Sequence, residues 1–141
     1  HTAPLSSESG AFFHPEAESC LGYRRTQSGH WPSKGWLVSV QLAAYLKDGH
    51  WLANARRANM LAKRLAEGLA QNSAIEIVHP VSANAVFARM PDALAAKLRR
   101  NGVLFYNWGV PTAGSTLARL MLSFATPDEC VARLIDLARE G

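Results

Sequence analysis

Arg119 stands in the middle of "LARLMLSF" (117–124), a run in which every other residue suits a buried strand. An arginine keeps its charge and is seldom left among apolar neighbours without an anion to meet it. Strand alternation puts Leu117, Arg119, Met121 and Ser123 on one face and Ala118, Leu120, Leu122 and Phe124 on the other. The second set is a continuous apolar face for covering helices, so Arg119 belongs to the side turned away from them, among small or soft side chains. Two readings stay open on this pattern. One is a partly exposed arginine on an open sheet face. The other is a planar fork for a carboxylate or phosphate, a role in which lysine is a poor substitute.

A second cluster is "YRRTQSGHWPSKG" (23–35), which gathers three cations, a histidine, two aromatics and two glycines in thirteen residues. Glycines let backbone N–H groups approach an oxyanion, and Lys34 near a helix start could supply a point charge. The plainer reading is a basic helix end that complements the helix dipole before a turn. His1, His14, His30, His50 and His79 show no metal-ligand spacing, and no carboxylates pair with them, so no metal site is expected. Walker loops, dinucleotide fingerprints and nucleophile elbows are missing. Asp92, Asp128 and Glu129 suit helix starts better than catalysis.

These residues sit in a chain of 141 residues, enough for one domain with a core or one domain plus an arm. The apolar fraction of 48% is ordinary for a folded soluble protein. The net charge of +4 comes from scattered rather than clustered cations, which argues against a nucleic-acid footprint. Recognition of RNA on the open face is disfavoured further, because the strands are expected to lack paired aromatics facing the same way as Arg119. Cys20 and Cys130 outline neither a disulfide framework nor a zinc site, so a reduced, cytoplasmic setting is expected. No stretch reaches the length of a membrane span, and no secretory signal is visible. A start at His1 rather than Met reads as an internal point in a longer polypeptide.

Residues 1–15 form a polar arm, and Pro15 opens a helix through "EAESCLGYRR". After a break at Gly29, Pro32 and Gly35 a second helix runs to about Lys47, closed by Asp48-Gly49. A longer helix spans about 50–71, with Trp51, Ala55, Ala58, Ala62, Leu65 and Leu69 on one stripe. The period then changes. Strands are predicted at 75–79, 84–90, 103–108 and 116–124, with a helix at 91–102 stopped by Asn101-Gly102. Thr126, Pro127 and Glu129 announce the last helix as cap, first residue and capping-box partner. The fold class is therefore α+β: a small, mostly antiparallel four-stranded sheet covered by helices on one face. Residues 50–141 form that domain, while residues 1–49 look like an arm and helices belonging to a neighbouring one.

In this order, "GAFFHPEAESCLGYRRTQSGHWPSKGWLVSVQLAAYL", the long helix, "SANAVFARMP", "LFYNW" and "ARLMLSFATPDECV" resemble low-specificity L-threonine aldolases. These are fold-type-I enzymes dependent on pyridoxal phosphate (PLP), which split β-hydroxy-α-amino acids into glycine and an aldehyde. The resemblance covers nearly the whole chain but only the C-terminal part of such an enzyme, the exit from its large domain and then its small domain. It implies that Arg119, in "ARLMLSFAT", anchors the carboxylate of the amino-acid substrate, so that the bond to be broken stands perpendicular to the cofactor ring. It also implies that Arg25 and Lys34 lie near the cofactor phosphate, often across a subunit boundary in a homo-oligomer.

The family's Schiff-base lysine precedes the strand matched by "GAFF", and an ungapped count puts it at or near His1. Either the chain begins just after that lysine or histidine stands in its place. Histidine cannot form the imine, and Lys34, Lys47, Lys63 and Lys97 lie in no matching turn, so the chain alone is expected to be catalytically incomplete. Its implied partners are the amino-acid substrate and either further copies of itself or a large-domain half, with neither nucleic acid nor membrane. The alternative is a stand-alone, non-catalytic module that keeps the small-domain fold and binds carboxylates through Arg119.

Overall fold

The computed structural model describes residues 22–24, 26–29, 35–110 and 112–139. They fall into two compact units that part between Trp51 and Leu52.

In the first unit, residues 22–24 and 26–27 are helical, and Gly29 closes the turn with φ 72°. Helix α1, Gly35–Leu46, reads "GWLVSVQLAAYL" and has no charged residue to give it a wet side. Trp36, Leu37, Val40 and Leu46 are all exposed on it. A 3-10 turn, Lys47–Gly49, follows, and there Asp48 adopts the left-handed region (φ 57°, ψ 14°). Aspartate tolerates that conformation better than most residues, which is why Asp48-Gly49 works as a stop.

The second unit begins within α2, His50–Leu69. Its buried stripe is Ala58, Leu61, Ala62, Leu65, Ala66 and Leu69, whereas Trp51 and Ala55, expected on that stripe, are exposed. Strands β1 (Glu76–Ile77), β2 (Ala85–Pro91), β3 (Tyr106–Asn107) and β4 (Ser115–Met121) form one sheet in the order β1-β2-β4-β3. All three pairings are antiparallel. The two central strands match their expected extents closely, while the two edge strands shrink to two residues each. Edge segments have one pairing partner, so their ladders stop wherever the chain turns for a loop.

Helices α3 (Asp92–Arg100) and α4 (Asp128–Arg139) complete the fold. The stop at the end of α3 has a clear mechanism. Gly102 takes φ 83°, the Val103 N–H donates to the Leu98 carbonyl at 3.0 Å and the Gly102 N–H to Arg99 at 3.0 Å. That pair of bonds satisfies carbonyls that a helix end would otherwise leave open. Before α4, the Thr126 hydroxyl accepts the Ser123 N–H at 2.9 Å and so closes the preceding turn.

One face of the sheet carries Val86, Ala88, Met90, Ala118 and Leu120, all buried against Leu61, Leu65 and Leu69 of α2, Leu98 of α3 and Val131 and Ile135 of α4. Each fully buried leucine of this set contributes about 1.5–3 kcal/mol through loss of apolar surface to water. At Gly68 helices α2 and α4 approach so closely that a Cβ there would run into the Ile135 side chain. Among the described helices of the second unit, none packs on the opposite sheet face. The predicted α+β architecture, with an antiparallel sheet and helices on one side, is the one observed.

Candidate functional site

Register decides what surrounds Arg119. On β4 it pairs with Phe87 of β2 on one side and Tyr106 of β3 on the other. Residues opposite each other in an antiparallel sheet share a face, so both aromatics stand on the uncovered side with the arginine. Trp108 follows β3 and is anchored by its own N–H, which donates to the Leu117 carbonyl at 2.8 Å. The Arg119 guanidinium carbon lies 5.0 Å from the Trp108 ring centroid. Phe87 meets Trp108 edge-on at 5.5 Å and 63°. His79 meets Phe87 in the same manner at 5.3 Å and 75°.

This overturns the expectation of small, soft neighbours and of no aromatics on the Arg119 face. The signal was present in "VLFYNW", because alternation there separates Val103 and Phe105, which pack on the core, from Leu104, Tyr106 and Trp108, which are exposed. What the sequence lacked was the strand order that sets β3 beside β4.

Arg119 itself is half-buried, and its Nε–H points to the Met121 sulfur at 3.2 Å. A thioether is a weak acceptor and carries no charge. Among the described residues no carboxylate pairs with this guanidinium. Nearby on the same face Glu76 is taken by Arg89 at 3.2 Å, its register partner. Among the described residues of the second unit, a fork of N–H donors thus stands on an uncovered face, steadied at its base by sulfur and indole. Chemically, it can grip a carboxylate or phosphate in bidentate fashion.

The other two predicted site residues, Arg25 and Lys34, lie outside the described residues, as does His1. Of the lysines in the second unit, Lys63 is exposed among Arg56, Asn59, Met60 and Glu67 on α2. Lys97 donates to the Leu137 carbonyl at 3.0 Å. Neither is on the Arg119 face. Among the described residues no group of three or more His, Cys, Asp or Glu side chains could hold a metal ion, and no helix is long and apolar enough to cross a membrane.

No family model matches the chain. Over 129 residues, 92% of its length, it is 34% identical to the low specificity L-threonine aldolase of Pseudomonas sp. (strain NCIMB 10558). The enzyme of the same name from Pseudomonas aeruginosa is 33% identical over the same extent. This chain is homologous to the C-terminal part of threonine aldolases. It spans 35% of the length of either relative. Among solved structures, the threonine aldolase of Leishmania major superposes with a TM-score of 0.76 at 24% identity, covering 90% of this chain and 35% of that one. A tryptophan decarboxylase from Catharanthus roseus is similar at TM-score 0.60 and 20% identity, over 74% of this chain and 25% of that one. An aminotransferase, TlmJ of Streptoalloteichus hindustanus, is similar at TM-score 0.54 and 24% identity, over 72% of this chain and 34% of that one. The structural matches establish a shared fold, that of the C-terminal portion of threonine aldolases.

Proposed function

We propose that this chain is the C-terminal, carboxylate-anchoring portion of a PLP-dependent aldolase that cleaves L-threonine or related β-hydroxy-α-amino acids to glycine and an aldehyde. Arg119 is the substrate anchor on this reading. The single observation that carries it is the Arg119 guanidinium, which no carboxylate among the described residues pairs with, on the sheet face that the second unit's described helices leave uncovered, in a chain whose relatives are threonine aldolases. A bidentate grip on the α-carboxylate fixes two of the substrate's atoms and so sets the orientation of its Cα–Cβ bond. PLP would supply the electron sink for that bond.

Among the described residues of the second unit the site fits the substrate carboxylate, while neither Lys63 nor Lys97 stands on the Arg119 face to form an imine with the cofactor. On this reading none of the lysines in these 141 residues forms the imine, Arg25 and Lys34 serve the cofactor phosphate, and the isolated chain is inactive. Residues 1–49 are then the exit from a large domain and residues 50–141 the small domain, working in a cytoplasmic homo-oligomer.

The test has two steps. The purified chain is incubated with PLP, reduced with borohydride and mapped by peptide mass, with no lysine labelled stoichiometrically as the expected result. The N-terminal two thirds of the Pseudomonas relative is then supplied in trans, and glycine release from L-threonine is measured. Activity that appears only in the mixture and vanishes with Arg119→Ala supports the proposal. Specific labelling of one lysine with turnover by the chain alone would overturn the incompleteness claim. A mixture that assembles but stays silent favours the non-catalytic carboxylate-binding module.

A further inference from the structure

We infer that Trp108 is a positioning residue for Arg119, holding its guanidinium plane in place before an anion arrives, and that the anion meets the fork end-on through Nη1 and Nη2. The inference rests on the reading of Arg119 as a carboxylate anchor.

An arginine on an open sheet face has a long, flexible stem, and any ligand that needs its fork must first offset the entropy of ordering it. Here the ordering is built in. The guanidinium stands 5.0 Å from the indole centroid, a distance at which the ring's electron-rich face attracts a cation. Trp108 is itself restrained at main chain and ring. Its backbone N–H is tied to the Leu117 carbonyl, and its ring is braced edge-on by Phe87, which His79 braces in turn. Trp108 is 45% exposed and lies outside the core cluster, so packing alone does not explain a residue of this size here.

Direction follows from Met121. With Nε–H turned to its sulfur at 3.2 Å, the side-on edge of the fork, Nε with one Nη, is occupied. Among the described residues nothing engages the two terminal nitrogens, which form the pair for a carboxylate, so the ligand approaches along the arginine's long axis.

The experiment uses the whole 141-residue chain labelled with nitrogen-15, observing arginine Nε–Hε signals without and with glycine as the carboxylate probe. The Arg119 signal is assigned by its loss in Arg119→Lys. In the ligand-free chain it is expected to be displaced from the main arginine cluster and to exchange slowly. Trp108→Leu should return it to the cluster and weaken glycine binding about three- to fivefold, the size expected of one cation–π contact. Trp108→Phe, which keeps a ring face, should recover most of both. Should Trp108→Leu lose its core amide pattern, Phe87→Leu removes the brace and gives the same readout.

An Arg119 signal already averaged in the wild type, or unmoved by loss of the indole, overturns the inference whatever glycine does. A displaced, indole-dependent signal with no response to glycine leaves the positioning intact and overturns the carboxylate reading instead. Glycine that shifts the Nε signal as strongly in wild type as in Met121→Leu overturns end-on approach.

Discussion

Two half-buried arginines of the same unit use their forks in opposite ways. Arg57 on α2 donates Nε to the Phe124 carbonyl at 3.0 Å and Nη2 to the Thr126 carbonyl at 3.3 Å and to Asp128 at 2.7 Å. It closes on the turn that leads from β4 into α4, and Arg64 adds a second bond to Asp128 at 3.2 Å. Arg119, on the other side of the sheet, holds a thioether and the face of an indole and no carboxylate among the described residues. The difference teaches how to tell a structural arginine from a binding one. A guanidinium that serves the fold is saturated by the fold. One that serves a ligand is steadied at its base and face, with its terminal nitrogens left to that ligand.

The sharpest way to break the comparison is Arg119→Ala. It should abolish the response to carboxylate while leaving stability within about 0.5 kcal/mol of wild type, because no described carboxylate loses its partner. Urea unfolding alongside a glycine titration checks both halves, and a large stability loss would make Arg119 structural after all. Arg57→Ala should do the reverse. Losing its bonds to two carbonyls costs about 1–2 kcal/mol, with binding at Arg119 unchanged. A weaker effect is expected from Gly68→Ala, which wedges a methyl against Ile135 where α2 and α4 meet. Overpacking of about 1–3 kcal/mol is offset by up to about 1 kcal/mol of helix propensity, and the change shows as a lower denaturation midpoint.

The smallest effect is a pH dependence. The hydrogen bond from Arg57, helped by the charges of Arg57 and Arg64, holds the Asp128 carboxyl below the usual carboxylate range. A group whose folded-state pKa is lowered contributes stability above its unfolded value and loses it as pH falls through the folded one. The stability gap between wild type and Asp128→Asn should therefore be full above about pH 4 and close below it. An identical acid limb for the two proteins would remove Asp128 from the account of Arg57.

Much of this was legible in the residue order, for local reasons. Alternation in 116–122 places Ala118, Leu120 and Leu122 inward and Arg119 outward, and all three apolar residues are buried. Asn101-Gly102 marks the end of α3 because only glycine enters the left-handed region freely. Arg57 was not legible. It lies beside the apolar stripe of α2 and reads as a solvated cation, yet its acceptors come from a turn almost seventy residues away. Neither was the aromatic setting of Arg119, since Phe87, Tyr106 and Trp108 come from two other segments.

The sequence by itself determined the α+β class, the two faces of each central strand and the placing of Arg119 on the uncovered one, because side-chain period and turn chemistry are properties of neighbours along the chain. Only the tertiary structure decided which residues stand beside Arg119. Pairing β4 between β2 and β3, rather than beside either alone, flanks the arginine with aromatics on both sides and brings the Trp108 indole to its guanidinium. Strand order and register are set by the packing of the whole core, and no local pattern encodes them.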